Sequence, residues 1–272
     1  MERSIRVRWR VGCSRTACRF VCNCNCTRYS GPAPKRAFEV SGRPAVVLLS
    51  GGMDSALTAV LAQSDGFDIY ALTFDYGQRH VIEVARAAEV AAAIGVVEHR
   101  VMSIDLAALG GSSLTDRSIA VPQDRGEAKI GEGIPSTYVP ARNTVFLSLA
   151  MAWAESLGAR DLFIGANVLD YSGYPDCRPE YLEAFQALAR LATRAGVAGA
   201  DWTVHAPLMR MTKAQIAGRA AELGLDLGRT LSCYIPEASG VPCGRCDACR
   251  LRARGFAEAG LSDPALGAFP GN

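Results

Sequence analysis

From Pro44 to Gly224, short unbroken apolar runs alternate with longer stretches whose apolar residues recur at helical spacing. The first run, Ala45 to Leu49, is closed by Ser50-Gly51-Gly52. A run of that kind predicts a strand buried on both faces of a parallel sheet. The pattern then predicts a helix over 55–63, a strand over 69–74, an alanine-rich helix over 80–94 stopped by Gly95, and a strand over 96–102. Residues 110–140, rich in Gly, Ser and Pro, predict a long functional loop. Beyond it come a helix over 143–157, a strand over 161–165 and a helix over 179–195. Thr212-x-x-Gln215 is a capping box in which each partner satisfies an orphan backbone donor, and Gly224 supplies the matching stop. Strands alternating with helices predict an α/β fold, an open parallel sheet with helices on both faces, whose ligands bind at the carboxyl ends of the strands.

Composition changes this picture at one end only. The 272 residues carry a net charge of +2, but residues 1–40 hold nine Lys and Arg against two acids, and the remainder is net −5. Five of the ten cysteines fall between Cys13 and Cys26. Residues 1–41 have neither strand nor helix periodicity and are expected to be a disordered, basic, Cys-rich extension of a single main domain over 42–272. The successive C-x-C steps in this arm do not match paired C-x2-C knuckles. No apolar run approaches the 20 or so residues needed to span a bilayer, and no signal peptide is visible. A cytoplasmic, reducing location is expected, where clustered thiols read as metal ligands before disulfides. The acidic body gives no general argument for nucleic acid, and no direct nucleic-acid or membrane partner is expected.

The strongest local signal is Ser50-Gly51-Gly52-Met53-Asp54-Ser55, set between the first strand and the first helix. Two glycines allow a tight turn and close backbone approach. The exposed amides, the helix start and the two serine hydroxyls make an anion cradle, flanked by Leu49 and Ala56. Asp54 beside a phosphate makes sense if Mg²⁺ lies between them. No Gly-Lys-Ser/Thr follows, so this is not a Walker A loop. The segment is the PP-loop signature, SGGxDS, and here the chain resembles the N-type ATP pyrophosphatases. That resemblance implies cleavage of ATP between the α and β phosphates and adenylation of a substrate oxygen.

Near the C-terminus, Cys243, Cys246 and Cys249 stand at C-x2-C-x2-C spacing, with Cys233 available as a fourth thiolate. Four thiolates close a tetrahedral Zn²⁺ shell and leave no open position, which makes the expected site over 231–256 structural. The bacterial ferredoxin pattern is incomplete, lacking its further C-x3-C-P.

Four blocks narrow the resemblance: Phe74 to His80 (FDYGQRH), Ser136 to Asn143 (STYVPARN), Asp170 to Arg178 (DYSGYPDCR) and the cysteine segment. In that order, across residues 44–256, the chain resembles the 7-cyano-7-deazaguanine synthases of queuosine biosynthesis. Leu231 departs from the tryptophan usual there, which is expected to loosen packing beside the metal. The resemblance implies that 7-carboxy-7-deazaguanine and ammonia become a nitrile through an adenylated carboxylate and then an adenylated amide, and it implies a homodimer. No amidotransferase segment remains once the sheet and cysteine segment are placed, so free ammonia is the expected nitrogen source.

Asp54, Arg142 and Lys213 are the candidate catalytic residues. Arg142 is read as a partner for phosphate or the substrate carboxylate, and Lys213, in the first turn of a capped helix, as a polyphosphate contact. Asp170, Tyr174 and Asp176, in a loop after a strand, are the candidate purine contacts, a carboxylate accepting from a guanine-like N–H edge and a ring stacking on the base. His80 at a helix start reads as a cap or surface group before an ammonium contact, and Cys177 as an inert thiol. Two alternatives stay open on the sequence. One is a PP-loop tRNA thiolation enzyme. The other is a zinc module binding nucleic acid through Arg245, Arg250, Arg252 and Arg254.

Overall fold

The computed structural model of the chain describes residues 42–126, 130, 133–169 and 173–267. The expected disordered extension, residues 1–41, and the candidate contact Asp170 lie outside the described residues. The strands are β1 (Arg43–Leu48), β2 (Phe67–Asp75), β3 (Glu98–Ser103), β4 (Asp161–Phe163) and β5 (Thr203–His205). They form one sheet in the order β3-β2-β1-β4-β5, every pairing parallel. The chain leaves β1 toward β2 on one side and returns to β4 on the other, which places the topological switch point beside the end of β1.

The helices are α1 (Met53–Ser64), α2 (Ile82–Ile94), α3 (Arg142–Leu157), α4 (Pro179–Ala192), α5 (Arg194–Val197), α6 (Lys213–Glu222), α7 (Asp247–Glu258) and α8 (Pro264–Gly267). Side chains of β1 divide by the two-residue period of a strand. Val46 and Leu48 pack with Leu147, Ala150 and Trp153 of α3 and Phe185 of α4. Ala45, Val47 and Leu49 pack on the opposite face with Ala56, Ala59 and Ala62 of α1 and Ala87, Val90 and Ala91 of α2. Both faces are covered, as a strand apolar at every position requires. Alanine predominates where α1 and α2 meet the sheet, which lets the helix backbones approach closely.

The helix expected over 179–195 breaks at Thr193. Its hydroxyl donates to the Ala189 carbonyl at 2.7 Å, ending α4, and accepts from the Gly196 amide at 3.0 Å, capping α5. Three elements were not expected. Three-residue β5 and four-residue α8 are too short to show a period, and α7 begins within the cysteine segment, where ligand spacing masks the helical pattern. Its apolar residues Leu251 and Phe256 are nonetheless buried.

The expected long loop is tied at both described ends. Arg79 donates to the carbonyls of Ser113 at 2.5 Å, Asp116 at 2.7 Å and Ile119 at 2.5 Å. Farther along, the Asp124 amide donates to the Arg245 carbonyl at 2.9 Å, and Arg125 pairs with the fully buried Asp247 at the start of α7. No helix among the described residues is long and apolar enough to cross a membrane.

Candidate active site and four-cysteine centre

Where β1 ends, Gly51 adopts φ +79°, and a Cβ added there would lie 2.7 Å from the Ala87 amide nitrogen and 2.8 Å from the Glu83 carbonyl oxygen. The turn therefore needs glycine twice over, for its backbone angle and for its approach to α2. Gly51→Ala is expected to lower stability by about 1–3 kcal/mol from strained backbone alone and to abolish ATP binding, checked by thermal melting and calorimetric titration. The Ser55 hydroxyl accepts from the Ser50 amide at 3.1 Å and donates to the Gly52 carbonyl at 3.0 Å. Gly52 caps α1 with no side-chain hydrogen bond, so no side chain occupies the position of an anion at the first turn. Leu49, Ser50, Gly52, Met53, Asp54 and Ser55 line a cavity of about 290 Å³, whereas Gly51 and Ala56 lie behind it. Gly165, just beyond β4, closes the other side; a Cβ there would stand 3.1 Å from the Asp54 carbonyl carbon and the Ser55 amide.

The capping box is formed as expected, with Gln215 N donating to Thr212 Oγ1 at 3.2 Å and Thr212 N to Gln215 Oε1 at 2.9 Å. It sets the first residue of α6, Lys213, whose Nζ donates to Asp54 Oδ2 at 2.6 Å although the lysine is only 8% exposed. The other carboxylate oxygen of Asp54, Oδ1, is buried and has no hydrogen-bond partner. Two residues that sequence reasoning missed position this pair. Asn167, after β4, donates to the Leu208 carbonyl at 2.8 Å and the Met211 carbonyl at 2.5 Å, fixing the segment that leads into α6. Gly255 of α7 lies against Lys213, where an added Cβ would meet the lysine Cβ at 2.5 Å.

Arg142, Tyr174 and Cys177 line the same cavity. Arg142 donates to the Tyr76 hydroxyl at 3.4 Å, and Tyr174 shares a 2.8 Å hydrogen bond with Thr137 Oγ1. Burial, with a further push from Asp176, raises the Cys177 thiol to about 11, so it stays protonated and a poor nucleophile. Asp176 is not among the cavity residues; it is 6% exposed and its Oδ2 accepts from the Asn143 amide at 3.0 Å, holding the first turn of α3. His80 is likewise absent from the cavity wall, whereas Glu83, three residues on, faces it. Burial pushes the Glu83 carboxyl up to about 7 against the opposing pull of Arg142. From sequence, an acid in the first turn of a helix reads as a partner for the helix dipole, which is why Glu83 escaped notice.

Cys233 and Cys249, next in sequence to the wall residues Ser232, Tyr234 and Ala248, join Cys243 and Cys246 with all four sulfurs within 4.8 Å of one another, and none forms a disulfide. Tetrahedral zinc with Zn–S bonds of 2.3 Å sets sulfurs about 3.8 Å apart; Cys243 and Cys249 stand at 4.0 Å, as do Cys233 and Cys246. Backbone amides of Cys243, Arg245, Cys246 and Tyr234 donate to these sulfurs at 3.2–3.5 Å. Such donors stabilise thiolates, so the donor set and its surroundings fit a bound divalent metal. Leu231, expected to loosen the packing here, is 5% exposed and packs with Val121, Cys233, Cys246 and Cys249. Its amide also donates to the Gly51 carbonyl at 2.9 Å, joining the cysteine segment to the phosphate loop. The basic cluster beside the cysteines is largely satisfied within the fold. Arg245 pairs with Asp124, Arg254 with Glu258, and buried Arg252 with Asp263. Three of the four arginines named for a nucleic-acid-binding module are thus paired within the fold.

A PP-loop at the switch point of a parallel sheet, with a lysine–aspartate pair beside an uncapped helix start, defines an ATP-using enzyme of the PP-loop class. The chain belongs to the family described as queuosine biosynthesis protein QueC, whose family model matches residues 44–260. It is similar to the 7-cyano-7-deazaguanine synthase of Rhodopirellula baltica, 60% identical over 227 residues that cover 82% of this chain and 91% of that one. The enzyme of the same name from Kineococcus radiotolerans is 60% identical over 222 residues, 82% of this chain and 96% of that one. That of Pseudomonas fluorescens is 56% identical over 226 residues, 83% and 96% of the two chains.

Proposed function

We propose that this enzyme converts 7-carboxy-7-deazaguanine and ammonia into 7-cyano-7-deazaguanine, cleaving ATP to AMP and diphosphate in each of two activations. The observation that carries the reading is the phosphate loop and its Lys213–Asp54 pair opening onto one cavity with Arg142 and Tyr174. The amides at the start of α1 and the loop serines hold the polyphosphate, and Lys213 offsets its charge. Arg142 receives the substrate carboxylate, and Tyr174 lies along the purine. Turning a carboxylate oxygen into a leaving group needs transfer to the α phosphorus, so these groups act by position and charge, and no protein nucleophile is required. The apolar cavity wall, including Leu49, Phe74 and Phe146, keeps water from the acyl adenylate.

Asp54 Oδ1, buried without a partner, fits a carboxylate that serves Mg²⁺, an ion that neutralises phosphate charge when bound. The four cysteines would hold zinc in a structural role, with no open coordination position. The reading also includes a homodimer, which rests on the family resemblance and not on the geometry.

Incubation with carboxydeazaguanine, ammonium, Mg²⁺ and ATP, followed by mass analysis, is expected to give the nitrile and two AMP per nitrile formed. ADP as the sole nucleotide product overturns the reading, as does transfer of labelled sulfide to tRNA.

A further inference from the structure

Ammonia is a nucleophile only as the neutral molecule, yet at neutral pH it is almost wholly ammonium. An enzyme that uses it directly gains from a base inside the site. Among the described cavity residues, the carboxylates are Asp54 and Glu83, and Asp54 is taken up by Lys213. Glu83 stands in the first turn of α2, which Gly51 holds against the phosphate loop. Its carboxylate makes no hydrogen bond or ion pair within the described residues, and the charge it feels is that of Arg142. The groups facing it are Arg142 from α3 and Tyr76 from just beyond β2, with Tyr174 near both. The two tyrosines are themselves raised by burial and stay neutral. Phe146 stacks on Phe74 at 4.0 Å and meets Tyr76 edge-on at 5.5 Å, making an aromatic wall beside these charges. A carboxylate without a partner on an aromatic wall is the chemistry that receives a small cation.

We propose that Glu83 is the ammonium-binding general base of this site: its carboxylate takes ammonium into the cavity and strips one proton, next to the activated carbonyl. This rests on the synthetase reading above. The carboxylate and ammonium become carboxylic acid and ammonia. The nitrogen lone pair attacks the carbonyl carbon of the acyl adenylate, the C–N bond forms, and the C–O bond to the phosphate breaks. AMP leaves carrying the proton that nitrogen sheds, and Glu83 returns its proton to solvent. A carboxyl that titrates near 7 is matched to the task, since it is both ionised and appreciably basic at the working pH.

The test uses Glu83→Gln, which keeps shape and removes the base, with Glu83→Asp as the conservative variant. Glu83→Gln is expected to lose about 10²-fold in kcat/KM for ammonium at pH 7, to recover as rising pH supplies free ammonia, and to be restored in part by Glu83→Asp. With hydroxylamine, which is already neutral at pH 7, the same variant is expected to stay within a few-fold of the parent. Exchange of labelled diphosphate into ATP, driven by carboxydeazaguanine without any amine, is expected to be unchanged. Equal losses with ammonium and hydroxylamine overturn the base assignment, as does an unaltered ammonium profile. Absence of exchange in the parent overturns the synthetase reading itself. A folding defect is visible separately: a desolvated carboxyl raised from 4.5 to about 7 weighs against the native state increasingly as pH climbs through that interval, so Glu83→Gln is expected to melt higher than the parent at pH 8 and to match it only at about pH 4 or below.

Discussion

Asp54→Asn is expected to reduce kcat/KM for ATP by 10²- to 10³-fold, about 3–4 kcal/mol of transition-state stabilisation. The substitution is isosteric, so what changes is charge at two atoms. Oδ2 accepts from Lys213 Nζ at 2.6 Å, and Oδ1 is buried with no protein partner. An asparagine there presents an amide to one of these positions and halves what the loop offers to a cation. It also removes the Asp54 carboxylate charge from beside Lys213, which is 8% exposed. Breaking a buried pair by removing one member costs about 3–5 kcal/mol; Asp54 keeps 31% of its side chain exposed, so the loss of stability here is expected below that range. Steady-state AMP release at several Mg²⁺ concentrations separates the two effects. Asp54→Asn should need more Mg²⁺ for half-maximal rate, whereas Lys213→Met should raise the ATP requirement without moving the Mg²⁺ dependence. An Asp54→Asn enzyme with parental rate and parental Mg²⁺ dependence would refute the role.

The parts of this site that repeat or punctuate were legible in the sequence. Ala45 to Leu49 could only be a strand covered on both sides, and two glycines before a helix announced the loop that it ends in. Thr212 and Gln215 announced the start of α6, and with it the place of Lys213. The cysteine spacing announced the four-cysteine cluster without revealing that α7 begins inside it. Residues whose role depends on a partner far along the chain carried no such signal. Asp176 reads as a loop acid, but it holds the Asn143 amide thirty-three positions away. Arg252 reads as part of a basic surface, but it is buried with Asp263 and donates to the carbonyls of Thr230 and Leu227. Asn167 and Glu83 sit beside motifs without belonging to their spacing. Their function is set by which wall of the cavity the fold turns them toward, and periodicity does not encode that.

Removing the metal from the four-cysteine centre is expected to inactivate the enzyme while leaving the parallel sheet folded. The cysteine segment has a small core, Val121 and Leu231 with three of the sulfurs, so a bound metal would supply much of what fixes it. Three links then connect the centre to the chemistry. The Leu231 amide holds the Gly51 carbonyl of the phosphate loop. Ser232, Tyr234, Ala248 and Leu251 form part of the cavity wall. Helix α7, whose N-cap is Cys246, lays Gly255 against Lys213. Without a cation, four sulfurs within 4.8 Å cannot all remain thiolates, and the amides that donate to them lose their acceptors. Cys246→Ser is expected to bind less than 0.1 zinc per chain by colorimetric release. A loss of about 3–5 kcal/mol, typical of a lost structural site, corresponds to a melting temperature lower by about 10 °C in a domain of this size. Far-UV circular dichroism should change little, because the sheet and its two aliphatic cores on β1 lie outside the segment. Activity should fall more than a hundredfold, and a parent stripped by chelator should regain it on adding Zn²⁺. A zinc-free enzyme that retains full ATP-dependent turnover would show that the centre does not hold the cavity wall.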